Sequence, residues 1–166
     1  MSDKIWKEFN KNELSHSAAH YLMAIHQVHE KQGYARLIDI SKHLNLSKGS
    51  LSISLKPLVQ KKFILEDENK HLRLSPKGLA FANHIEHTCE VVTELFVDIL
   101  KIKPSAAEID ACKIEHLLSG QTTHALSHLI KAIKTNEKLR EALNKEIEKC
   151  RKEPCETKNL KVLKNL

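Results

Sequence analysis

The sequence predicts a mainly α protein in two parts: a small unit of three helices closed by one β-hairpin, then an all-helical unit. Three observations carry this. Apolar residues recur at a helical period along most of the chain. That period gives way once to short apolar runs flanking a polar turn, between Phe63 and Leu74. A content of 4% aromatic residues, 4 Gly and 4 Pro leaves little material for a sandwich or barrel.

A chain of 166 residues can bury one good core or two small ones. With 41% hydrophobic and 29% charged residues it reads as a soluble fold. No apolar run is long enough to span a bilayer, and the start, Met1 to Trp6, lacks an apolar signal core, so a cytoplasmic location without a membrane partner is expected. The net charge of +6 favours polyanionic partners. Cys89, Cys112, Cys150 and Cys155 have no framework spacing, which favours ligand or redox roles over disulfides.

In chain order, a polar start with Trp6 and Phe9 as candidate anchors leads to a helix from about Ser15 to Lys31, with apolar face Ala18, Tyr21, Leu22, Ile25 and Val28. A second stripe of the same helix, His16, His20, Met23 and Gln27, carries donor atoms that an amphipathic helix does not need. Gly33 ends the helix. Arg36 to Leu44 forms a second, and Ser47 caps a third over about Lys48 to Lys62, interrupted by Pro57. The spacing is that of a helix-turn-helix. Small hydroxyls and lysines on the third helix suit a DNA major groove, with Ser47, Gly49, Ser50 and Ser52 near bases or phosphates and Lys48 and Lys56 on the backbone. Phe63–Glu66 and His71–Leu74 flank Asp67-Glu68-Asn69-Lys70 as a hairpin, the wing of a winged helix-turn-helix, from which Arg73 could reach a phosphate.

Ser75-Pro76 starts a long helix expected to reach about Ile102, of the kind that bridges to a dimerisation lobe. Lys103-Pro104-Ser105 breaks it, and an apolar periodic segment follows from Ala106 to Leu118, with Ile109, Ile114, Leu117 and Leu118 as expected packing positions. Within it Cys112, Glu115 and His116 stand at i, i+3 and i+4, so a thiol, a carboxylate and an imidazole share a face that could hold a metal ion, with Glu108 one turn earlier. A helix from Gln121 to Ile133 carries His124 and His128 at i, i+4, and Asn136 caps a last charged helix to about Arg151. These boundaries divide the chain into 1–75, 76–134 and 135–166.

A winged helix-turn-helix, a long connecting helix and then Cys-x-x-Glu-His resembles the diphtheria-toxin-repressor family of metal-dependent transcriptional regulators, over about Ser15 to Ile133. The resemblance implies a winged helix-turn-helix followed by an all-helical dimerisation and metal-binding domain, of the two-domain type without the SH3-like domain. It places metal ligands on His20, Cys89, Cys112, Glu115 and His116, with Met23, Glu108, Cys150 and Cys155 as further candidates. Such a donor set is soft, favouring Fe2+, with Zn2+, Co2+ and Ni2+ as alternatives and Mn2+ less suited. It implies a homodimer that binds a pseudo-palindromic DNA operator and represses metal-homeostasis genes when metal is bound. An alternative is a winged-helix regulator triggered by thiol redox chemistry or by an iron–sulfur or zinc site built on the cysteines. No glycine-rich phosphate loop, nucleophile elbow or His-Glu-x-x-His is present, so neither an enzyme nor a small-molecule substrate is expected.

Overall fold

The computed structural model describes residues 14–152, so Trp6, Phe9 and Cys155 lie outside the described residues. Helix α1 (His16–Gln32) starts where Ser15 Oγ accepts the Ala18 N–H and ends at Gly33, whose φ of 80° is the left-handed conformation that closes a helix most cheaply in glycine. Helices α2 (Leu37–His43) and α3 (Lys48–Gln60) follow, with Ser47 capping α3 through the Ser50 N–H. The α3 helix runs through Pro57, which offers no N–H to the Ile53 carbonyl. Strands β1 (Ile64–Glu66) and β2 (Leu72–Leu74) pair antiparallel, with Leu65 opposite Arg73. Asp67 holds their turn, its carboxylate accepting the Asn69 and His71 N–H groups at 2.9 and 2.8 Å. The hairpin is tied to the helices where the Leu72 N–H donates to the Ala35 carbonyl at 2.7 Å.

Helix α4 (Pro76–Glu94) is capped by Ser75, whose Oγ accepts the Gly78 N–H at 3.0 Å and donates to the Lys62 carbonyl at 2.6 Å. The helix then widens into a π-turn (Leu95–Ile99) and stops short of Ile102, where it was expected to end. Lys134 bridges Glu94 and Asp98 across this turn, and Arg151 donates to the Leu100 carbonyl at 2.6 Å, satisfying an acceptor that the helix end leaves open. Helices α5 (Pro104–Ile114), α6 (Gly120–Thr135) and α7 (Glu137–Lys152) complete the described fold.

Two apolar clusters form. The larger joins Leu22, Ile25, Ile40, Leu51, Phe63 and Ile64 with Ala82 of α4; the smaller joins Val91, Ile99, Ile130 and Ile133. Helix α4 belongs to both. The Cys112 helix differs from expectation in two ways: it ends at Ile114 rather than Leu118, and Ala107 and Ala111 are its buried residues. Ile109 and Leu117 are 58% and 44% exposed. Two alanines at i, i+4 present a flat face to their neighbours, leaving the larger apolar chains outside.

Gly78 marks the tightest contact between α4 and the hairpin, because a Cβ there would lie 2.1 Å from the Phe63 carbonyl oxygen. Gly78→Ala is expected to cost about 1–3 kcal/mol of stability, read as a lower denaturation midpoint in urea; an unchanged midpoint would contradict the close approach.

Candidate metal centre

Three helices and the turn after the third deliver donor atoms to one place. His20 comes from α1, Cys89 from α4, and Cys112 and Glu115 from α5 and its end, with His116 in the following turn. The early end of α5 does not dissolve the i, i+3 relation, since Glu115 keeps helical angles of φ −51° and ψ −39°. His20 Nε2 lies 3.2 Å from Cys112 Sγ and 4.0 Å from Glu115 Oε1. Residues 92 positions apart in sequence thereby meet between the hairpin-bearing unit and the helices behind it.

Glu115 is the anomaly of the cluster. It is 1% exposed, and among the described residues its Oε1 has no hydrogen-bond partner. A buried carboxylate oxygen left unpaired is costly, and a cation among these donors would relieve it. The remaining carboxylate character is felt by its neighbours. Burial, reinforced by a hydrogen bond to Glu115 and by its charge, pushes the Cys89 thiol up to about 12. Burial and then Glu115 also raise Cys112. Burial and the neighbouring His16 lower His20 and His116, while Glu115 opposes that shift. Thiols thus hold their protons and imidazoles lose theirs. The imidazoles stand in their ligating form, whereas each thiol must release a proton to become a ligand.

His16 also belongs here, although ligand reasoning from the sequence did not include it. One donor atom each from His16, His20 and Cys112 lies within 4.8 Å of the others. Its signal was the i, i+4 spacing of His16 and His20. The other candidates stand differently. Met23 is half-buried on α1; Glu108 is exposed on α5; Cys150 is a free, exposed cysteine on α7. Among the described residues the compact group is His16, His20 and Cys112; Glu108 and Cys150 lie outside it, as do Cys89, Glu115 and His116. The His124 and His128 rings pack 4.2 Å apart on the exposed face of α6.

The groove-facing candidates lie on one surface. Ser47, Lys48, Gly49, Ser50, Lys56 and Arg73 are exposed and Ser52 is half-buried. Ser47 is occupied with capping, donating to Ser50 Oγ at 2.9 Å while accepting the Ser50 N–H. Ile53, 68% exposed on the same helix, was not singled out by sequence reasoning, because an apolar residue in an apolar period reads as core.

A winged helix-turn-helix joined by a shared helix to a lobe bearing a thiol, imidazole and carboxylate cluster defines the class of metal-responsive DNA-binding regulators. The family described as the iron dependent repressor, metal binding and dimerisation domain matches residues 75–158. The chain belongs to the diphtheria-toxin-repressor family of metal-dependent transcriptional regulators. It is 25% identical over 123 residues to the HTH-type transcriptional regulator MntR of Geobacillus kaustophilus (strain HTA426), covering 74% of this chain and 86% of that protein. The MntR of Listeria monocytogenes serotype 4a (strain HCC23) is 26% identical over 110 residues, 66% of this chain and 77% of the relative. Among solved structures, T. acidophilum IdeR superposes with a TM-score of 0.57 at 24% identity, covering 68% of this chain and 53% of the other. The manganese regulator SloR gives 0.60 at 18% identity, covering 68% and 53%. These two likenesses concern the fold, and the chain spans about half the length of each.

The raised thiols set a pH dependence. At neutral pH both stay protonated, so an ion taken up as a thiolate complex displaces protons, and apparent affinity rises with pH by about tenfold per unit for each proton released. Calorimetry of metal binding in buffers of different ionisation enthalpy should detect that release; uptake with no proton released would exclude Cys89 and Cys112 as ligands.

Proposed function

We propose that the chain is a homodimeric, cytoplasmic transcriptional repressor of metal-homeostasis genes rather than an enzyme, and that Fe2+ raises its affinity for a pseudo-palindromic DNA operator. The observation that carries this reading is Glu115: a buried carboxylate with an unsatisfied oxygen, among donors contributed by both parts of the molecule. His20, Cys89, Cys112, Glu115 and His116 would hold the ion, which supplies a fixed divalent charge for them to share. His20 rides on α1, within the part that carries the recognition helix, while Cys112, Glu115 and His116 lie beyond α4. Ligation from both sides removes hinge freedom between reading head and dimer lobe. A dimer reads two half-sites only when its recognition helices are about one DNA turn apart, so a fixed hinge favours binding. With the ion at 100 times its dissociation constant for the binding form, the shift is about 2.7 kcal/mol, close to a hundredfold.

The donor set supports Fe2+ over Mn2+. Two thiolates and two imidazoles beside one carboxylate form a softer site than Mn2+ prefers, and affinity for such donors rises from Mn2+ through Fe2+, Co2+ and Ni2+ to Cu2+ and falls back at Zn2+. SloR, similar in fold, is a manganese regulator, so the comparison of metals is a direct test. On the DNA side, Lys48, Lys56 and Arg73 would meet phosphates while Ser47, Gly49, Ser50 and Ser52 approach the groove, with Ile53 available for contact with a thymine methyl group.

Anaerobic DNA-binding titrations should show stimulation by Fe2+ at lower free concentration than by Mn2+; the opposite order would assign the site to manganese. Cys112→Ala and His116→Ala are expected to remain folded dimers and lose metal stimulation, whereas retained stimulation would remove both residues from the switch. Replacing Lys56 with Ala should reduce the salt dependence of DNA affinity by about one unit of slope, and an unaltered slope would take Lys56 off the phosphate backbone.

A further inference from the structure

His16 occupies the first position of α1, one turn before His20, and the two rings meet edge to face with centroids 4.4 Å apart. On its other side, His16 Nδ1 lies 3.5 Å from His116 Nδ1. His20 Nε2 lies 3.2 Å from Cys112 Sγ. Around a tetrahedral ion with metal–nitrogen bonds of about 2.0–2.1 Å and a metal–sulfur bond of about 2.3 Å, adjacent donors stand about 3.3–3.6 Å apart. A nitrogen–nitrogen pair around such an ion stands about 3.3–3.4 Å apart and a nitrogen–sulfur pair about 3.5–3.6 Å, so the first separation agrees within about 0.2 Å and the second is shorter by about 0.3–0.4 Å. The two Nδ1 atoms face each other at a distance that either a shared hydrogen bond or a shared cation spans.

We propose that His16 is a metal ligand, and that His16, His20 and Cys112, whose donor atoms lie within 4.8 Å of one another, supply two nitrogens and one sulfur to the ion, its remaining places being taken from Cys89, Glu115 and His116. The assignment deepens the metal-dependent reading above and rests on it. The exposed His16 lies on the solvent side of the cluster and the buried Glu115 at its inner end. A third imidazole beside the thiols suits Zn2+, Co2+ or Fe2+ better than Mn2+. It also has a mechanical consequence. A single imidazole on α1 leaves that helix free to pivot about the bond, whereas two imidazoles at i, i+4 fix its rotation about its own axis as well.

The test uses the full chain labelled with 15N in its histidine rings and titrated with Zn2+, the resonances being assigned with His16→Ala, His20→Ala and His116→Ala. The ring nitrogens of His16 are expected to move together with those of His20 and His116. Competition with a chromogenic chelator should show Zn2+ affinity lowered about tenfold or more in His16→Ala, at least the loss seen when a supporting outer-shell group is removed. If the His16 resonances stay in place while those of His20 and His116 move, His16 is not a ligand and the proposal falls alone. If none of the three moves, the metal-dependent reading itself fails and takes this proposal with it.

Discussion

The structure depends most on the burial of one carboxylate. Glu115 sits at the junction of α1, α4 and α5, buried, with an oxygen that receives no hydrogen bond among the described residues. The same low-dielectric setting that makes the unpaired oxygen costly strengthens its pull on everything nearby. Burial first, and then the Glu115 carboxylate, raise the Cys89 and Cys112 thiols, and the charge of that carboxylate counteracts the loss of charge on His20 and His116. A cluster so arranged has more acceptor capacity than the protein itself supplies with donors. The imbalance lies where the two parts of the molecule touch, so whatever relieves it also joins them.

Helix α4 makes that junction mechanically consequential. Its first half is anchored to the hairpin by the Gly78–Phe63 contact and the Ser75 cap, and its second half carries Cys89 and then Val91 of the smaller apolar cluster. The buried Thr88–Thr123 pair, 3.0 Å between hydroxyl oxygens, fastens it to α6. His84 adds a contact to the Leu118 carbonyl at 3.1 Å, holding the turn in which His116 lies. The long helix therefore positions the loop after α5 from one side while the larger core positions α1 from the other. The donors are not simply displayed on flexible loops; capped and packed helices bring them together.

The smaller cluster has four buried residues, Val91, Ile99, Ile130 and Ile133, and leaves Leu129 and Leu139 half exposed on α6 and α7. Those exposed leucines fit the proposed homodimer, in which a second copy would bury further apolar surface. The separation of roles along α4 follows: one end serves the reading unit, the other the pairing unit, with the donor cluster between.

Much of this was legible in the sequence because it is local. Ser15, Ser47 and Ser75 announce helix starts, Gly33 announces a helix end, and the apolar runs around Asp67–Lys70 announce the hairpin, each through chemistry contained within a few residues. The Cys112-x-x-Glu115-His116 spacing belongs to the same kind of information, since an i, i+3, i+4 relation needs only one helix to be true. Tertiary structure alone decided the rest. That Ala107 and Ala111 rather than Ile109 and Leu117 face inward depends on how near α5 lies to its neighbours, a distance no periodicity contains. That His16 joins His20, that Cys89 leans on Glu115 and that Cys150 stands apart depend on where separate helices cross. Spacing within a helix is written in the order of residues, whereas the meeting of side chains 92 residues apart is set only when the core has packed.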